Sequence, residues 1–460
     1  MKKLFGTDGM RGEAGRFPLE AITIEIVGAS LATRLREKLG RAPLIVIGRD
    51  TRESGEWLEQ ALFAGASRAG AELKTAGVIT TPGVAFLART LPADAGVVIS
   101  ASHNAYRDNG IKIFAPSGRK LDDATEHLIE TDVFARRDPP APNAGKQSFT
   151  TLEARTIEGH DLQARYLEFL AREIGRNLSL DGLRLVLDCA NGASSEIAPE
   201  LFRRLGAAVT VINNSPDGRN INLGCGSLHP EGLQDEVIRQ HADLGVAFDG
   251  DADRALFVEA NGRLINGDAS LWVLANNLKA RHQLNLDTVV ATVMSNIGLE
   301  LAFQSHGIRL IRTDVGDKYV LEELLRLGAS LGGEQSGHII FPGLSLAGDG
   351  LITTLCMLRT MTEAGESLHK LTDGFQTFPQ ILVNVEVKVK QPFSQLSSIQ
   401  SAVRRIEAAL GSRGRLLLRY SGTESLARIM IEGESQDEIE KHAKELASVI
   451  QKELGVQTGS

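Results

Sequence analysis

Short, uninterrupted runs of Val, Ile and Leu alternate along the chain with longer stretches whose apolar positions recur at helical spacing, and this happens three times in the same order. The first round reads PLIVIGRD (43–50), GEWLEQALFAGASRAG (55–70), ELKTAGVITT (72–81), a further helical stretch and AGVVISASHN (95–104). The second reads LRLVLDCANGA (183–193), EIAPELFRRLG (196–206), AAVTVINN (207–214), GLQDEVIRQHA (232–242) and LGVAFDGDAD (244–253). The third reads TVVATVMSN (288–296), GLELAFQSHG (298–307), IRLIRTD (308–314), KYVLEELLRLG (318–328) and ASLGGEQSGHIIF (329–341). Strands apolar at every position are covered on both faces, which is the pattern of parallel sheets between helices.

After about residue 370 the rhythm changes to ILVNVEVKVK (381–390), a helix around SIQSAVRRIEAAL (398–410), RLLLRY (415–420), a polar loop, ARIMIEG (427–433) and a last helix. Ser435 and Glu438 form a capping box for that helix, and Ile439, Ala443, Leu446, Ile450 and Leu454 make one apolar stripe along it. The predicted architecture is three related α/β domains with mixed, mostly parallel sheets plus a smaller α+β C-terminal domain. The expected divisions are 1–148, 149–254, 255–370 and 371–460, with the Pro- and Gly-rich RRDPPAPNAGKQ (136–147) as a linker.

A chain of 460 residues exceeds what one hydrophobic core organises, in keeping with several domains. Apolar and charged contents of 42% and 23% are those of a globular protein. The net charge of -8, with no Lys/Arg-rich tract, argues against nucleic acid or an anionic membrane as partner. The start, MKKLFGTDGMRG, has no apolar stretch behind its lysines, and no run of about 18 apolar residues occurs. Cys189, Cys225 and Cys356 are odd in number and widely spaced, which suits a reducing compartment. A cytoplasmic protein is expected. The sequence leaves open whether it forms a homodimer.

Open α/β sheets bind ligands beyond the carboxyl ends of their strands. In each round the third strand ends in the most polar loop of its domain: SASHN, DGDAD and GEQSGH. These three loops are expected to converge on one cleft. Asp249, Asp251 and Asp253 alternate after the strand, so in an extended loop their carboxylates point the same way and repel one another unless a cation sits there. A calcium loop fails on spacing, with Arg254 at the glycine position and Ala260 at the bidentate-glutamate position; Mg²⁺ suits few carboxylates plus a phosphate oxygen. Ser102 sits at a strand end next to His103, as a hydrolase nucleophile could. The G-x-S-x-G elbow is absent, however, and neighbours in an extended loop face opposite ways, which leaves His103 poorly placed as its base. A phosphoryl group on Ser102 fits better, since it supplies the anionic ligand a metal on the aspartates lacks. Lys112, ten residues on, would be a cation or general acid/base beside it.

Glu334, Ser336 and His338 form a dense array of groups able to hydrogen-bond sugar hydroxyls. In LRYSGTESLAR (418–428), Arg419, Ser421, Gly422 and Thr423 give a guanidinium, hydroxyls and close amides, the donor set a phosphate dianion needs, and Arg428 could add a second guanidinium. No G-x-x-x-x-G-K-[ST] loop and no G-x-G-x-x-G fingerprint is present, so the strongest signals for ATP and NAD are missing.

The ordered set SASHN, DGDADR, GEQSGH and RYSGTE resembles the α-D-phosphohexomutase superfamily, and the resemblance runs from FGTDGMRG to ARIMIEG. It implies four domains around a central cleft. It also implies Ser102 as phosphoserine, with Asp249, Asp251 and Asp253 binding Mg²⁺ together with its phosphate. Arg254, Thr7 and Arg11 would lie in the same cleft, and Lys112 and His338 would serve in proton transfer. Glu334 and Ser336 would hold sugar hydroxyls, while Arg419, Ser421, Gly422, Thr423 and Arg428 would clamp the nonreacting phosphate. Three motifs, FGTDGMRG, GEQSGH and RYSGTE, are most similar to the branch that interconverts glucosamine 6-phosphate and glucosamine 1-phosphate through a hexosamine 1,6-bisphosphate. Ala105 and Ser425 stand where the family usually has proline, and Ala252 where it has glycine. The competing readings are a phosphomannomutase or phosphoglucomutase, a non-catalytic phosphosugar-binding regulator and, more remotely, a serine hydrolase.

Overall fold

The computed structural model describes residues 3–136, 152–421 and 425–455; most of the expected linker, from residue 137 on, lies outside them. The chain divides into two compact bodies, Met1–Val293 with Ile311–Asp373, and Met294–Leu310 with Gly374–Ser460. Within the first body the wholly buried runs form strands as the pattern predicts, with Ala95–Ile99, Leu244–Phe248 and Thr288–Thr292 buried at every position.

In the first sheet the order is Phe5–Gly6, Gly9–Glu13, Asp108–Phe114, Ala95–Ile99, Leu44–Arg49, Glu72–Val78. Leu44–Arg49 pairs in parallel with both Glu72–Val78 and Ala95–Ile99, and the remaining pairs are antiparallel. The second sheet runs Leu264–Ile265, Ala255–Glu259, Leu244–Phe248, Arg184–Asp188, Ala208–Ile212, and the third Arg309–Thr313, Thr288–Thr292, Leu331–Gly333, Ile339–Ile340. The sequence reading missed one feature common to all three. The strand that ends in the polar loop turns back into an antiparallel partner, so Ala95–Ile99 faces Asp108–Phe114, Leu244–Phe248 faces Ala255–Glu259, and Leu331–Gly333 faces Ile339–Ile340. The division expected at residue 254 is therefore corrected. It falls inside a hairpin, because Ala255–Glu259 and Leu264–Ile265 complete the second sheet.

The second body holds an antiparallel sheet, Gln380–Glu386, Leu426–Glu432, Arg415–Tyr420, covered by helices Ser397–Leu410 and Gln436–Leu454. Ser435 accepts from the Glu438 amide at 3.4 Å, and Ile439, Ala443, Leu446, Ile450 and Leu454 are all buried, as predicted. Helix Ile297–Ser305, part of the third α/β round, groups with this body by its contacts. The buried Glu432 accepts from the Ile297 amide at 3.1 Å and from Arg415 Nε at 2.9 Å, and Asn296 exchanges two hydrogen bonds with the Phe378 backbone. A carboxylate at a helix N-terminus satisfies an orphan amide and complements the dipole.

In the first body, helix Gly350–Ala364 starts at the buried Asp349, whose Oδ1 accepts from the Leu351 and Ile352 amides at 2.9 and 3.0 Å and whose Oδ2 accepts from the Tyr166 hydroxyl at 2.7 Å. Burial pushes the Asp349 carboxyl up to about 6 from 3.8. The folded protein thus holds a proton that the unfolded chain releases, and the stability due to this group falls as pH rises from about 4 to about 6. Asp349→Asn should flatten the melting temperature across that window. Asp349→Ala, which also removes the cap, should cost roughly 1–2 kcal/mol at pH 7. Thermal unfolding at pH 4.5, 5.5 and 7 measures both.

Candidate active site

The three hairpin tips of the first body meet. Ser102 adopts a left-handed backbone (φ 54°), a strained conformation for a residue with a side chain. Its amide donates to Ser100 Oγ at 2.9 Å and its carbonyl accepts from Asn222 Nδ2 at 2.9 Å. Gly250 passes so close that a Cβ there would lie 2.6 Å from the same carbonyl. The hydroxyl of Ser102 donates to Asp249 Oδ2 at 2.6 Å. The left-handed turn also overturns the expectation for His103. The two neighbours do not face opposite ways, and His103 Nδ1 lies 3.3 Å from Ser102 Oγ. Burial, then Arg254 and Arg11, push this imidazole down to about 4, so it is neutral at physiological pH.

Asp249, Asp251 and Asp253 are buried, each offering a carboxylate oxygen within 4.8 Å of the others, as their alternation implied. Asp249 Oδ1 accepts from the Arg254 amide at 3.1 Å; Asp251 Oδ2 accepts from Thr81 Oγ1 at 2.5 Å and from Lys112 Nζ at 2.9 Å. Asp251 Oδ1 and Asp253 Oδ1 are buried with no hydrogen-bond partner among the described residues. Burial, then Asp253 and Asp251, hold the Asp249 carboxyl well above its usual range. Oxygen ligands with unsatisfied lone pairs, crowded like charges and a serine oxygen alongside fit a hard divalent cation.

Lys112, on strand Asp108–Phe114, is buried against Asp251 at 2.9 Å, Asp8 at 3.2 Å and Asp253 at 3.4 Å. Burial opposes its charge, but these three carboxylates raise its proton affinity well above normal. Asp8 is held by Arg11, Lys112 and Lys120, and although burial works against ionisation these cations keep its carboxyl far below the ordinary value. Lys120 Nζ bridges Asp8 Oδ1 at 2.7 Å and Asp317 Oδ1 at 2.8 Å. His338 is buried with Nδ1 3.6 Å from Asp253 and Nε2 3.9 Å from Asp317; burial opposes protonation, but Asp253 first and then Asp317 raise the imidazole to about 9.

Glu334 Oε1 accepts from the Gly316 amide at 3.1 Å, and Ser336 Oγ donates to Glu334 Oε2 at 3.3 Å. Thr7, Arg11, Arg254, Glu334 and His338 line a cavity of about 570 Å³ with His103 and Asp317; Lys112 and Lys120 line an adjoining one of about 450 Å³ that shares Asp8, Asp253, Asp317 and His338. The structure therefore brings together Thr7, Arg11, Ser102, Lys112, the three aspartates, Arg254, Glu334, Ser336 and His338.

The sequence reading missed Asp8, Thr81, Lys120 and Asp317. Asp8 lies inside the quoted FGTDGMRG, but nothing in the local pattern marks the other three.

The remaining candidates lie in the second body. Arg419 and Arg428 are direct cross-strand partners in the antiparallel pair, so their side chains share a face. Ser421 is buried at the end of that strand, and its carbonyl accepts from Lys390 Nζ at 2.6 Å, a cation the sequence reading did not single out. Gly422 and Thr423 lie outside the described residues.

An α/β unit repeated three times, with a serine and an aspartate triad at its hairpin tips and a buried lysine on the strand after the serine loop, is the architecture of one protein family. The chain belongs to the phosphoglucomutase/phosphomannomutase family: domains I, II and III match residues 2–139, 164–262 and 266–378, and the C-terminal domain matches 382–449. It is 49% identical over 454 residues to a phosphoglucosamine mutase of Solibacter usitatus, covering 99% of each chain. It is 45% identical over 460 residues to that of Koribacter versatilis, covering 99% and 98%. A crystal structure of a phosphoglucomutase/phosphomannomutase family protein from Burkholderia thailandensis shares the fold with a TM-score of 0.78 at 24% identity, over 98% of this chain and 97% of that one.

Gly348 approaches His338 so closely that a Cβ would lie 2.2 Å from its Nε2, while its own backbone needs no left-handed conformation. Gly348→Ala should displace the imidazole from Asp253 and Asp317 without unfolding the protein. A crystal structure of the variant measures the shift, and turnover should fall by about 10²-fold, the usual effect of moving a positioned group by an ångström.

Proposed function

We propose that the chain interconverts glucosamine 6-phosphate and glucosamine 1-phosphate through a phosphorylated Ser102 and a bisphosphorylated sugar. The observation that carries this reading is Ser102 Oγ, 2.6 Å from Asp249 in the aspartate cluster beside buried Lys112. The name borne by relatives 49% and 45% identical over almost the whole chain supports the amino sugar as substrate.

In this reading Asp249, Asp251 and Asp253, with the Ser102 phosphate, hold Mg²⁺, which supplies charge neutralisation for the transferring phosphoryl group. The free sugar hydroxyl attacks phosphorus, the bond from phosphorus to Ser102 oxygen breaks, and the hydroxyl proton passes to a neighbouring base. The sugar turns around, Ser102 takes the other phosphoryl group, and the proton returns to the released oxygen. Lys112 and His338 are the proton-transfer candidates. Arg11 and Arg254 attract the moving charge, Thr7 lines the cavity, and Glu334 and Ser336 hold sugar hydroxyls. Arg419 and Arg428, which share a face of the second body's sheet, are with Ser421, Gly422 and Thr423 the phosphate-binding candidates of that body. Such chemistry rests on positioning and charge stabilisation, and water must be excluded, because hydrolysis of the phosphoserine would leave the enzyme inactive. A cytoplasmic place in amino-sugar and cell-wall precursor supply accords with this reading and with the free thiols of Cys189, Cys225 and Cys356; no helix of the described residues is long and apolar enough to cross a membrane.

The test is purified protein with Mg²⁺ and a trace of hexose bisphosphate, assayed for 1-phosphate from glucosamine 6-phosphate beside glucose and mannose phosphates. Glucosamine phosphate should be turned over fastest; a preference for another hexose reassigns the substrate. Ser102→Ala should abolish turnover with the fold intact, and intact-mass spectrometry should find one covalent phosphate on the wild type and none on the variant. Asp251→Asn should lower Mg²⁺-dependent turnover by roughly 10²–10³-fold, and an unchanged Mg²⁺ titration would remove the metal from the mechanism.

A further inference from the structure

We propose that Arg52 is a positioning residue that sets the geometry of the phosphoryl-carrying serine, an inference that rests on the mutase reading given above. Arg52 is among the largest fully buried side chains, 1% exposed, and lies on the segment after strand Leu44–Arg49, away from the hairpin that carries Ser102. Its guanidinium spans three carbonyls of the serine loop. Nη2 donates to the carbonyls of Ser102 and Asn104, each at 2.9 Å, and Nη1 donates to that of Ala105 at 2.5 Å. Nε donates to Asp50 Oδ2 at 2.9 Å, an ion pair with no exposed side-chain surface on either partner.

The same carboxylate reaches the serine by a second route. Asp50 Oδ2 accepts from Ser100 Oγ at 2.6 Å, and Ser100 Oγ accepts from the Ser102 amide at 2.9 Å. Both the amide and the carbonyl of the one strained residue in the loop are thus traced to a single buried Asp50–Arg52 pair. A left-handed non-glycine conformation is strained and persists only where its surroundings over-determine it. Here the over-determination is this network, reinforced by Asn222 Nδ2, which donates to the Ser102 and Asn104 carbonyls at 2.9 and 3.1 Å.

The task needs a guanidinium. Three carbonyls and one carboxylate are met by a rigid planar fork, whereas a lysine offers one nitrogen at the end of a flexible stem and cannot span them. Charge alone is therefore not enough. Arg52 makes no hydrogen bond to the Ser102 hydroxyl, so its action on the reaction runs through the backbone that aims Oγ at Asp249.

The experiment compares wild type, Arg52→Lys and Asn222→Gly, the last removing the second donor to the same carbonyls at a position whose φ of 58° glycine accepts. Hydrogen exchange of the segment 100–106 should quicken by about ten-fold or more in Arg52→Lys, with strand Leu44–Arg49 and helix Gly55–Arg68 unchanged. In the same variant kcat should fall by about 10²-fold with KM moving less than about three-fold, and Asn222→Gly should shift both readouts the same way by less. Unchanged exchange, or faster exchange with kcat intact, overturns the proposal. Should Arg52→Lys not fold, Asn222→Gly carries the test by the same two readouts. A wild type that takes no phosphate onto Ser102 from hexose bisphosphate defeats the mutase reading instead, and the exchange data then still decide whether Arg52 fixes the loop.

Discussion

Burying like charges together is the constraint on which the rest of this molecule depends. Asp249, Asp251 and Asp253 lie within 4.8 Å of one another in the interior, where each pair repels by roughly 3–4 kcal/mol at an effective dielectric of about 20. Such sums rival the whole stability of an ordinary domain. The fold answers with cations drawn from elsewhere in the chain. Lys112 comes from the first sheet, Arg254 from the loop itself, and His338 from the third hairpin, while Lys120 and Arg11 neutralise Asp8 at the edge of the cluster. Asp251 Oδ1 and Asp253 Oδ1 still accept no hydrogen bond among the described residues, so the triad has both the charge and the lone pairs to take a divalent cation.

The repeated hairpin makes this charge cluster possible. A polar loop following a buried parallel strand would ordinarily lead into a crossover helix. In each of the three sheets it returns at once as an antiparallel strand, which keeps the loop short and ties both of its ends to the sheet. Short, doubly tethered tips can hold strained residues, and Ser102 and Ala252, one in each of two tips, share a left-handed backbone. Rigid tips are what phosphoryl transfer asks for, since its catalysis is mainly positioning and charge. Ala252 occupies the place where the family usually has glycine and adopts the conformation a glycine would favour, so that departure keeps the backbone path at some cost in strain.

Much of the fold was legible because the signals were local. Continuous apolar runs identified the central strands, alternation placed three carboxylates together, and the Ser435 cap with its apolar stripe located the last helix in the second body. The misses have equally physical reasons. Residue 254 was placed as a division, yet Ala255–Glu259 returns as a hairpin against Leu244–Phe248, and a short apolar run after a polar loop reads alike as a returning strand or the start of a new domain. The acceptor for the first amide of helix Ile297–Ser305 was not legible, because Glu432 lies more than a hundred residues away. His103 was misplaced because alternation assumes an extended chain, and one positive φ breaks that assumption.

The sequence by itself determined the three-fold α/β repeat, the residue types at the loop tips and the candidate chemistry of Ser102, the aspartates and Lys112, since periodicity and composition are properties of neighbouring positions. Only the tertiary structure decided which charges meet: that Lys112 faces Asp8, Asp251 and Asp253, that Lys120 and Asp317 belong to the same cluster, and that Arg52 grips the serine loop. Those are contacts between residues from about fifty to two hundred positions apart. Electrostatics acts through distance in space, which no local pattern along a chain records.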